Sequence, residues 1–259
     1  MFPERRRELI LRTLRTDGAA PVRVLAERLG VSAATIRRDL VQLDKEGRLS
    51  RVHGGAVAAA DTDDPFAEVA LVRVEEKDAI AHQCAELIKD GEAVLLDIGT
   101  TAHRLARRLH GRSLTVITSN LAVYEELKDD RDVQIVLLGG ILRRSYNSLV
   151  GFLTEDNLRQ VHADRLFLGT SGVRPDGAVM DTTTVEVPLK RAMIAASDQV
   201  VLVADADKFP GRGIARVCGP EDVDVVVTNA PADSATSAAL REAKVEVIAV
   251  AREPAREQV

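Results

Sequence analysis

Between Ser32 and Val57 the chain reads SAATIRRDLVQLDKEGRLSRVHGGAV, an order of residues that few folds can accept. Ser32 is placed to cap a helix that runs to about Glu46 and is closed by Gly47, with Ala33, Ile36, Leu40 and Leu43 as its apolar stripe. Two short extended pieces follow, 48–52 and 56–58, joined by Gly54-Gly55. Upstream, helical periodicity over Glu4–Thr16 turns Ile10 and Leu14 inward, leaves arginines outside and ends at Asp17-Gly18. A shorter helix near Arg23–Leu29 buries Val22, Leu25 and Leu29, keeps Ala26 small at the crossing and stops at Gly30. Three helices followed by a two-stranded ribbon predict an N-terminal winged helix-turn-helix over residues 1–58.

The polar side of the third helix carries Ala34, Thr35, Arg38 and Gln42, with Arg37 flanking. Arginine and glutamine suit guanine and adenine edges in the major groove of a DNA duplex. Arg48, Arg51 and His53 fall in the ribbon, where phosphate or minor-groove contacts form, although His53 reads equally as wing packing. An Arg-Arg pair is by itself an ordinary solvated helix face. Its setting changes the reading, because a Gly-Val-Ser turn, a basic outer face and a basic Gly-Gly ribbon share one short stretch. With Ser32 at the helix start, these residues are the candidate contacts to double-stranded operator DNA. Charge agrees: residues 1–57 hold 12 Lys and Arg against 7 Asp and Glu, a net of +5, so the rest of a chain of net charge −5 carries −10. A basic head on an acidic body suits a polyanion partner for the head alone.

Residues 59–75 mix small and acidic residues with one proline and read as a linker that packs in part on the body. From 76 to 252 apolar strands and helices alternate. The expected strands are 93–98, 114–118, 133–138, 165–169, 200–204, 223–228 and 245–250; the expected helices are 77–89, 101–109, 121–128, 149–161, 185–197 and 234–243. This rhythm predicts an α/β domain with a mostly parallel sheet covered by helices on both faces. Five Phe, two Tyr and no Trp fit an aliphatic core. Cys84 and Cys218 lie far apart without a CxxC pattern, so neither a disulfide framework nor a metal site is expected, and no cofactor. The opening MFPERRREL is charged where an export signal is apolar, and no apolar run reaches spanning length, so the expected location is cytoplasmic, away from the membrane.

Within the body, LLDIGTTAHRLARRL reads as strand, turn and helix. Gly99 permits the turn, and Thr100 and Thr101 place hydroxyls beside N–H groups at a helix start; such an end binds phosphate through its amides and dipole, and is equally an ordinary threonine cap. Asp97, at the end of its strand, can accept hydrogen bonds from sugar hydroxyls. Ser119 and Asn120 follow the next strand, and Gly140 the third, with Arg143 just beyond it. Gly169-Thr170-Ser171-Gly172 follows the fourth, and Asp205 and Lys208 the fifth. Ligands in open α/β sheets gather at these carboxyl ends. Arg143 reads as a phosphate ligand or a surface charge; Glu186 and Lys190, four residues apart, read as pocket residues or as a surface salt bridge.

The stretch TIRRDLVQLDKEGRLSRVHGGAV closely resembles the signature of the DeoR family of bacterial transcriptional regulators, and the resemblance runs along essentially the whole chain. Arg23 departs from it, standing where the family often has a Ser or Thr to cap the second helix. Family members are usually repressors answering to phosphorylated sugars. The spacing EK…DxGTT…TSN…GG…G…E…K…DxxKF is similar to the family's sensor domain, whose fold resembles ribose-5-phosphate isomerase, although Thr118-Ser119-Asn120 replaces the usual Thr-Asn-Ser order. The resemblance implies that Asp97, Gly99, Thr100, Thr101, Lys208 and Lys190 line an effector pocket. The isomerases carry an acidic DGxDE-like segment after the matching strand, where this chain has Gly-Thr-Ser-Gly and no carboxylate. Proton abstraction beside a carbonyl needs a base within reach, so sensing is expected and no catalysis. The expected protein is a homodimeric or homotetrameric repressor of a carbohydrate or polyol catabolic operon, released from its operator by a phosphorylated sugar or polyol. The alternatives are a sugar-phosphate isomerase-like enzyme with a regulatory DNA-binding head, and an activator of the same architecture.

Overall fold

The computed structural model describes residues 2–17, 19–46, 48–52, 54–58, 65–231 and 235–250, and the chain divides into two units, Met1–Asp63 and Asp64–Val259. The first unit contains α1 (Pro3–Asp17), β1 (Ala19–Pro21), α2 (Val22–Leu29), α3 (Ala33–Lys45), β2 (Leu49–Val52) and β3 (Gly55–Ala58). Ile10, Leu14, Leu25, Ile36, Leu40, Leu43 and Leu49 close its core. The expected two-stranded ribbon is a three-stranded antiparallel sheet in the order β1-β3-β2. With only Ala19-Ala20-Pro21, β1 is too short to show an alternating pattern. It explains the double glycine: Gly54, at φ +86°, makes the turn, while a Cβ on Gly55 would stand 2.5 Å from the Ala20 carbonyl oxygen.

Two local expectations change. The start of α2 has Pro21 at its cap position and no side-chain cap, and the Val22 N–H donates instead to Gly54 O at 2.9 Å. The wing turn thus meets the N–H of the helix's first residue, and Arg23 lies inside the first turn of α2, not at its cap position. Nor do all the arginines of α1 lie outside. Arg6 is buried, with Nε 2.6 Å from Asp39 Oδ2 and Nη2 3.2 Å from Asp39 Oδ1, and Arg7 Nε adds a contact at 3.4 Å. Asp39 faces inward on α3 because this guanidinium fork meets it. Gly18, Gly47, His53, residues 59–64 and the expected end of the body at 251–252 lie outside the described residues.

In the second unit, α4 (Phe66–Ala70) and α5 (Val74–Leu87) precede β4 (Ala93–Leu96), α6 (Thr100–Ala106), β5 (Leu114–Thr118), α7 (Leu121–Leu127) and β6 (Val133–Leu137). A hairpin of β7 (Ile141–Arg143) and β8 (Ser148–Val150) follows, then α8 (Phe152–Leu158), β9 (Ala163–Gly169), β10 (Gly172–Val173), β11 (Val179–Asp181) and α9 (Val187–Ala195). The unit ends with β12 (Ser197–Val203), β13 (Ala215–Cys218), β14 (Val225–Thr228), α10 (Ala235–Glu242) and β15 (Glu246–Ala249). All seven expected strands join one sheet, ordered β15-β14-β12-β9-β4-β5-β6, and every pairing in it is parallel.

Side chains alternate between two cores, as a strand's period of two requires. Leu95, Leu166, Leu168, Leu202 and Val226 face one side with α8, α9 and α10; Val94, Leu96, Phe167, Val201 and Val227 face the other with α5, α6 and α7. The expected helix 149–161 starts only at Phe152, because Ser148–Val150 pair with Ile141–Arg143 and Gly151, at φ +92°, breaks the chain direction. Residues 65–75 supply α4 and the beginning of α5, and the buried Phe66 ring meets His103 and Tyr146. From β4 the chain adds β5 and β6 on one side, then returns to place β9 on the other. The crevice of an open α/β sheet lies where the strand order reverses, here between the ends of β4 and β9.

Candidate functional site

On the first unit, Ser32 Oγ accepts the Thr35 N–H at 3.2 Å and lies 2.9 Å from the Thr35 hydroxyl, fixing the start of α3. Ala34, Arg37, Arg38 and Gln42 are exposed, and Thr35 is half-buried. Gln42 Nε2 donates to Glu46 Oε1 at 2.6 Å, whereas no ion pair holds Arg37 or Arg38 among the described residues. In β2, Arg51 is exposed and its backbone N–H donates to Asp44 Oδ1; Arg48, half-buried, precedes that strand. The unit therefore presents two free guanidiniums and an amide on one helix face, beside a basic strand.

On the second unit, the strand-order reversal brings together residues remote in sequence. Asp97, fully buried at the end of β4, accepts the Gly169 N–H at 2.9 Å through Oδ2 and meets Lys190 Nζ at 3.1 Å. Lys190, from α9, also meets Asp181 Oδ2 at 3.0 Å and donates to Gly169 O at 2.9 Å. Burial pulls this ammonium toward neutrality, but Asp181 and Asp97 more than offset it, so Lys190 is held above its ordinary value. Its three donors are all matched. Asp181 corrects the expectation that no carboxylate stands by the end of β9. It arrives through the small sheet β10-β11-β13, whose strands are too short to read from sequence. Asp181 Oδ1 accepts the Thr183 N–H at 2.9 Å, while Asp97 Oδ1 and Thr183 Oγ1 are buried without a hydrogen-bond partner among the described residues.

Around this centre, Gly99 opens α6 without a side-chain cap, and a Cβ on Gly99 would meet nothing, so the turn borders open space. Thr100 is buried and Thr101 half-buried. Asn120 braces the same turn, donating through Nδ2 to Asp97 O and Gly99 O at 3.3 Å each, and its Oδ1 caps α7 at the Ala122 N–H. Ser119 is buried, and its hydroxyl has no hydrogen-bond partner among the described residues. Gly140 serves close packing, since a Cβ would run into Thr154 Oγ1.

Glu186 and Lys190 do not pair with each other. Glu186 meets Arg143, both side chains being buried, and the Arg143 guanidinium also lies over the Tyr146 ring at 5.0 Å. Arg143 is thus not a surface charge. After β12, Asp205 is buried and accepts the Asp207 N–H, and Lys208 is half-buried in the same turn. Arg73 reaches this turn, 3.9 Å from Asp205 Oδ1 and in contact with Asp207. Lys77, the lysine of the EK pair that opens the sensor-domain spacing but not one of the expected effector residues, is buried as well. The sequence signal was its place in the apolar stripe of Ile80, Ala81 and Cys84, which leaves it only 5% exposed.

The comparisons agree with both units. A DeoR-like helix-turn-helix domain model matches residues 6–62, and the DeoR C-terminal sensor domain model matches 72–230. An uncharacterised HTH-type transcriptional regulator of Bacillus subtilis, YulB, is 34% identical over 96% of this chain and 98% of its own. The glycerol-3-phosphate regulon repressor of Escherichia coli is 35% identical over 86% of this chain and 89% of its own. A solved ribose 5-phosphate isomerase A from Methanocaldococcus jannaschii overlays 51% of this chain and 52% of its own, with 16% identity and a TM-score of 0.38, a likeness too slight to bear on function. Matched in order by both domain models and by relatives along nearly its full length, the chain belongs to the DeoR family of helix-turn-helix transcriptional regulators.

Proposed function

We propose that this protein represses a carbohydrate or polyol catabolic operon as a cytoplasmic homodimer or homotetramer, and that a phosphorylated sugar or polyol at the carboxyl edge of the parallel sheet releases it from its operator. The first unit supplies the DNA contacts through Arg37, Arg38 and Gln42 on α3 and Arg48 and Arg51 by the wing. The second unit binds and does not catalyse.

The state of Lys190 carries this reading. Its three N–H groups are matched by Asp97, Asp181 and Gly169 O, and its proton is held tightly. Such a lysine is neither a nucleophile nor a base. Binding capacity remains: Asp97 Oδ1 is a buried acceptor and Thr183 Oγ1 a buried hydroxyl, each awaiting a partner. A ligand rich in hydroxyls supplies both.

The repressor named for the glycerol-3-phosphate regulon puts that compound first in a test panel. Fluorescence anisotropy with labelled DNA from upstream of the gene, titrated with phosphorylated sugars and polyols, tests the reading. At least one compound is expected to weaken operator binding tenfold or more, because linkage requires it to bind the DNA-free form more tightly. If none acts and the purified protein turns over ribose 5-phosphate, the protein is an enzyme and the proposal is wrong.

A further inference from the structure

Three exposed side chains stand one turn apart along the outer face of α3: Arg38, Gln42 and, at the helix's C-terminal cap, Glu46. Gln42 Nε2 donates to Glu46 Oε1 at 2.6 Å, and Gln42 makes no other side-chain hydrogen bond among the described residues. A carboxylate accepts and cannot donate, so the NH2 end of the Gln42 amide has to turn toward Glu46. An unrestrained glutamine rotates its amide and offers a donor or an acceptor in either place. Here one N–H is committed, and Oε1 and the second N–H remain open.

The acid is otherwise out of place. Among the described residues no ion pair involves Glu46, so it adds a negative charge to a helix face suited to a polyanion. As a helix-stabilising pair, two polar residues four apart contribute only slightly. What the contact supplies is orientation. Guanine presents two acceptors in the major groove, whereas adenine presents one donor and one acceptor. With one N–H held by Glu46, Gln42 keeps one acceptor and one donor, the complement of adenine and not of guanine. We infer that Glu46 is a positioning residue for base reading: it holds the Gln42 amide in the orientation that takes adenine, at a cost in affinity for DNA of any sequence. This rests on the reading above that the outer face of α3 meets operator DNA.

Fluorescence anisotropy of the full chain tests it on labelled operator DNA from upstream of the gene, on duplexes with each base pair of that operator replaced in turn, and on a scrambled duplex. Gln42→Ala marks the base pair that Gln42 reads, as the one where a preference for adenine disappears. At that same pair Glu46→Ala should lower the preference by about fivefold or more. Its binding to the scrambled duplex should tighten at low salt, and the gain should fade at high salt. Glu46→Gln keeps an acceptor and loses the charge, so it should tighten scrambled DNA equally and retain the preference for adenine. A pair that only stabilises the helix predicts no such split.

An unchanged preference in Glu46→Ala, a loss in Glu46→Gln as complete as in Glu46→Ala, or scrambled binding that tightens in neither variant overturns the inference. So does a Gln42→Ala variant that keeps every base preference. If Arg38→Ala still relaxes the preference in that case, DNA reading by α3 stands; if the wild type binds operator and scrambled duplex alike, both fall. Arg38, Gln42 and Glu46 are all exposed, and circular dichroism melts matching the wild type show that each variant is folded.

Discussion

Lys190→Met removes the cation that holds Asp97 and Asp181 in the sheet's crevice. Methionine keeps much of the side-chain volume but loses contacts of 3.1 Å to Asp97 Oδ2, 3.0 Å to Asp181 Oδ2 and 2.9 Å to Gly169 O. Two carboxylate side chains, 0% and 2% exposed, are left without a counter-ion. They can stay charged, and breaking a buried pair by removing one partner costs about 3–5 kcal/mol. Or one can protonate, which for an aspartate of ordinary acidity costs about 4 kcal/mol at pH 7 and about 1.5 kcal/mol at pH 5. The variant should therefore lose about 4 kcal/mol at pH 7 and less than about 2 kcal/mol at pH 5, protonation being the easier route in acid. Wild-type Lys190 has the opposite sign. Its value is raised above 10.5, so its contribution is fully present below that pH and is lost only as pH rises through the higher folded value. Urea denaturation followed by circular dichroism suits a chain that has no Trp, and calorimetry separates a shift in one unit from a shift in the other. A loss below about 1 kcal/mol at pH 7, or an equal loss at both pH values, refutes the buried-cluster account.

Other outcomes follow from the first unit and the core. Arg38→Ala should weaken operator binding by about 1–3 kcal/mol and relax base preference, while Arg51→Ala should weaken all sequences alike and lower the salt slope by about one; anisotropy on specific and scrambled duplexes at several salt concentrations separates the two. Gly55→Ala should destabilise the first unit by about 1–3 kcal/mol, since its Cβ would meet the Ala20 carbonyl at 2.5 Å; calorimetry should show that transition alone falling. Cys84 is fully buried, and burial pushes its thiol far above the ordinary range, with Cys218 pushed up to about 12. Neither should react with a thiol reagent at pH 8 until the second unit unfolds, so labelling rates should track urea concentration.

The legible parts of the chain were those where periodicity runs for several residues. Every strand of the main sheet carries at least three apolar residues, and the central ones, such as VLL in β4 and VVLV in β12, are buried in an unbroken run, so they declare themselves. The third helix was readable from its stripe and its serine cap. What stayed hidden is short or long-range. Three-residue strands such as β1, β7 and β11 carry no period, and β11 is the element that delivers Asp181. Arg6 and Asp39 lie 33 residues apart; each falls at stripe spacing, Arg6 with Ile10 and Leu14 and Asp39 with Ile36 and Leu43, but nothing local marks the two as partners. Glu186 and Lys190 had the spacing of a helix pair, yet each found a stronger partner across the fold, Arg143 for one and the two aspartates for the other. Spacing gives the chance of a contact; burial and competing charges decide it.

Those competing charges also separate the two ends of the candidate site. Asp97, Asp181 and Lys190 balance to a single negative charge in a fully buried space, which disfavours a phosphate there and favours neutral hydroxyls. Lys77, Lys208, Arg104 and Arg73 gather on the neighbouring turn and helices with cations in excess around Lys77. Lys77 also holds the carbonyl of Val69, and Arg104 that of Ala70, so both cations are bonded to α4, the first element of the second unit along the chain. A ligand shifts an equilibrium only by its differential affinity for the two states. A ligand that loosened α4 would have to compete with those two carbonyls for Lys77 or Arg104.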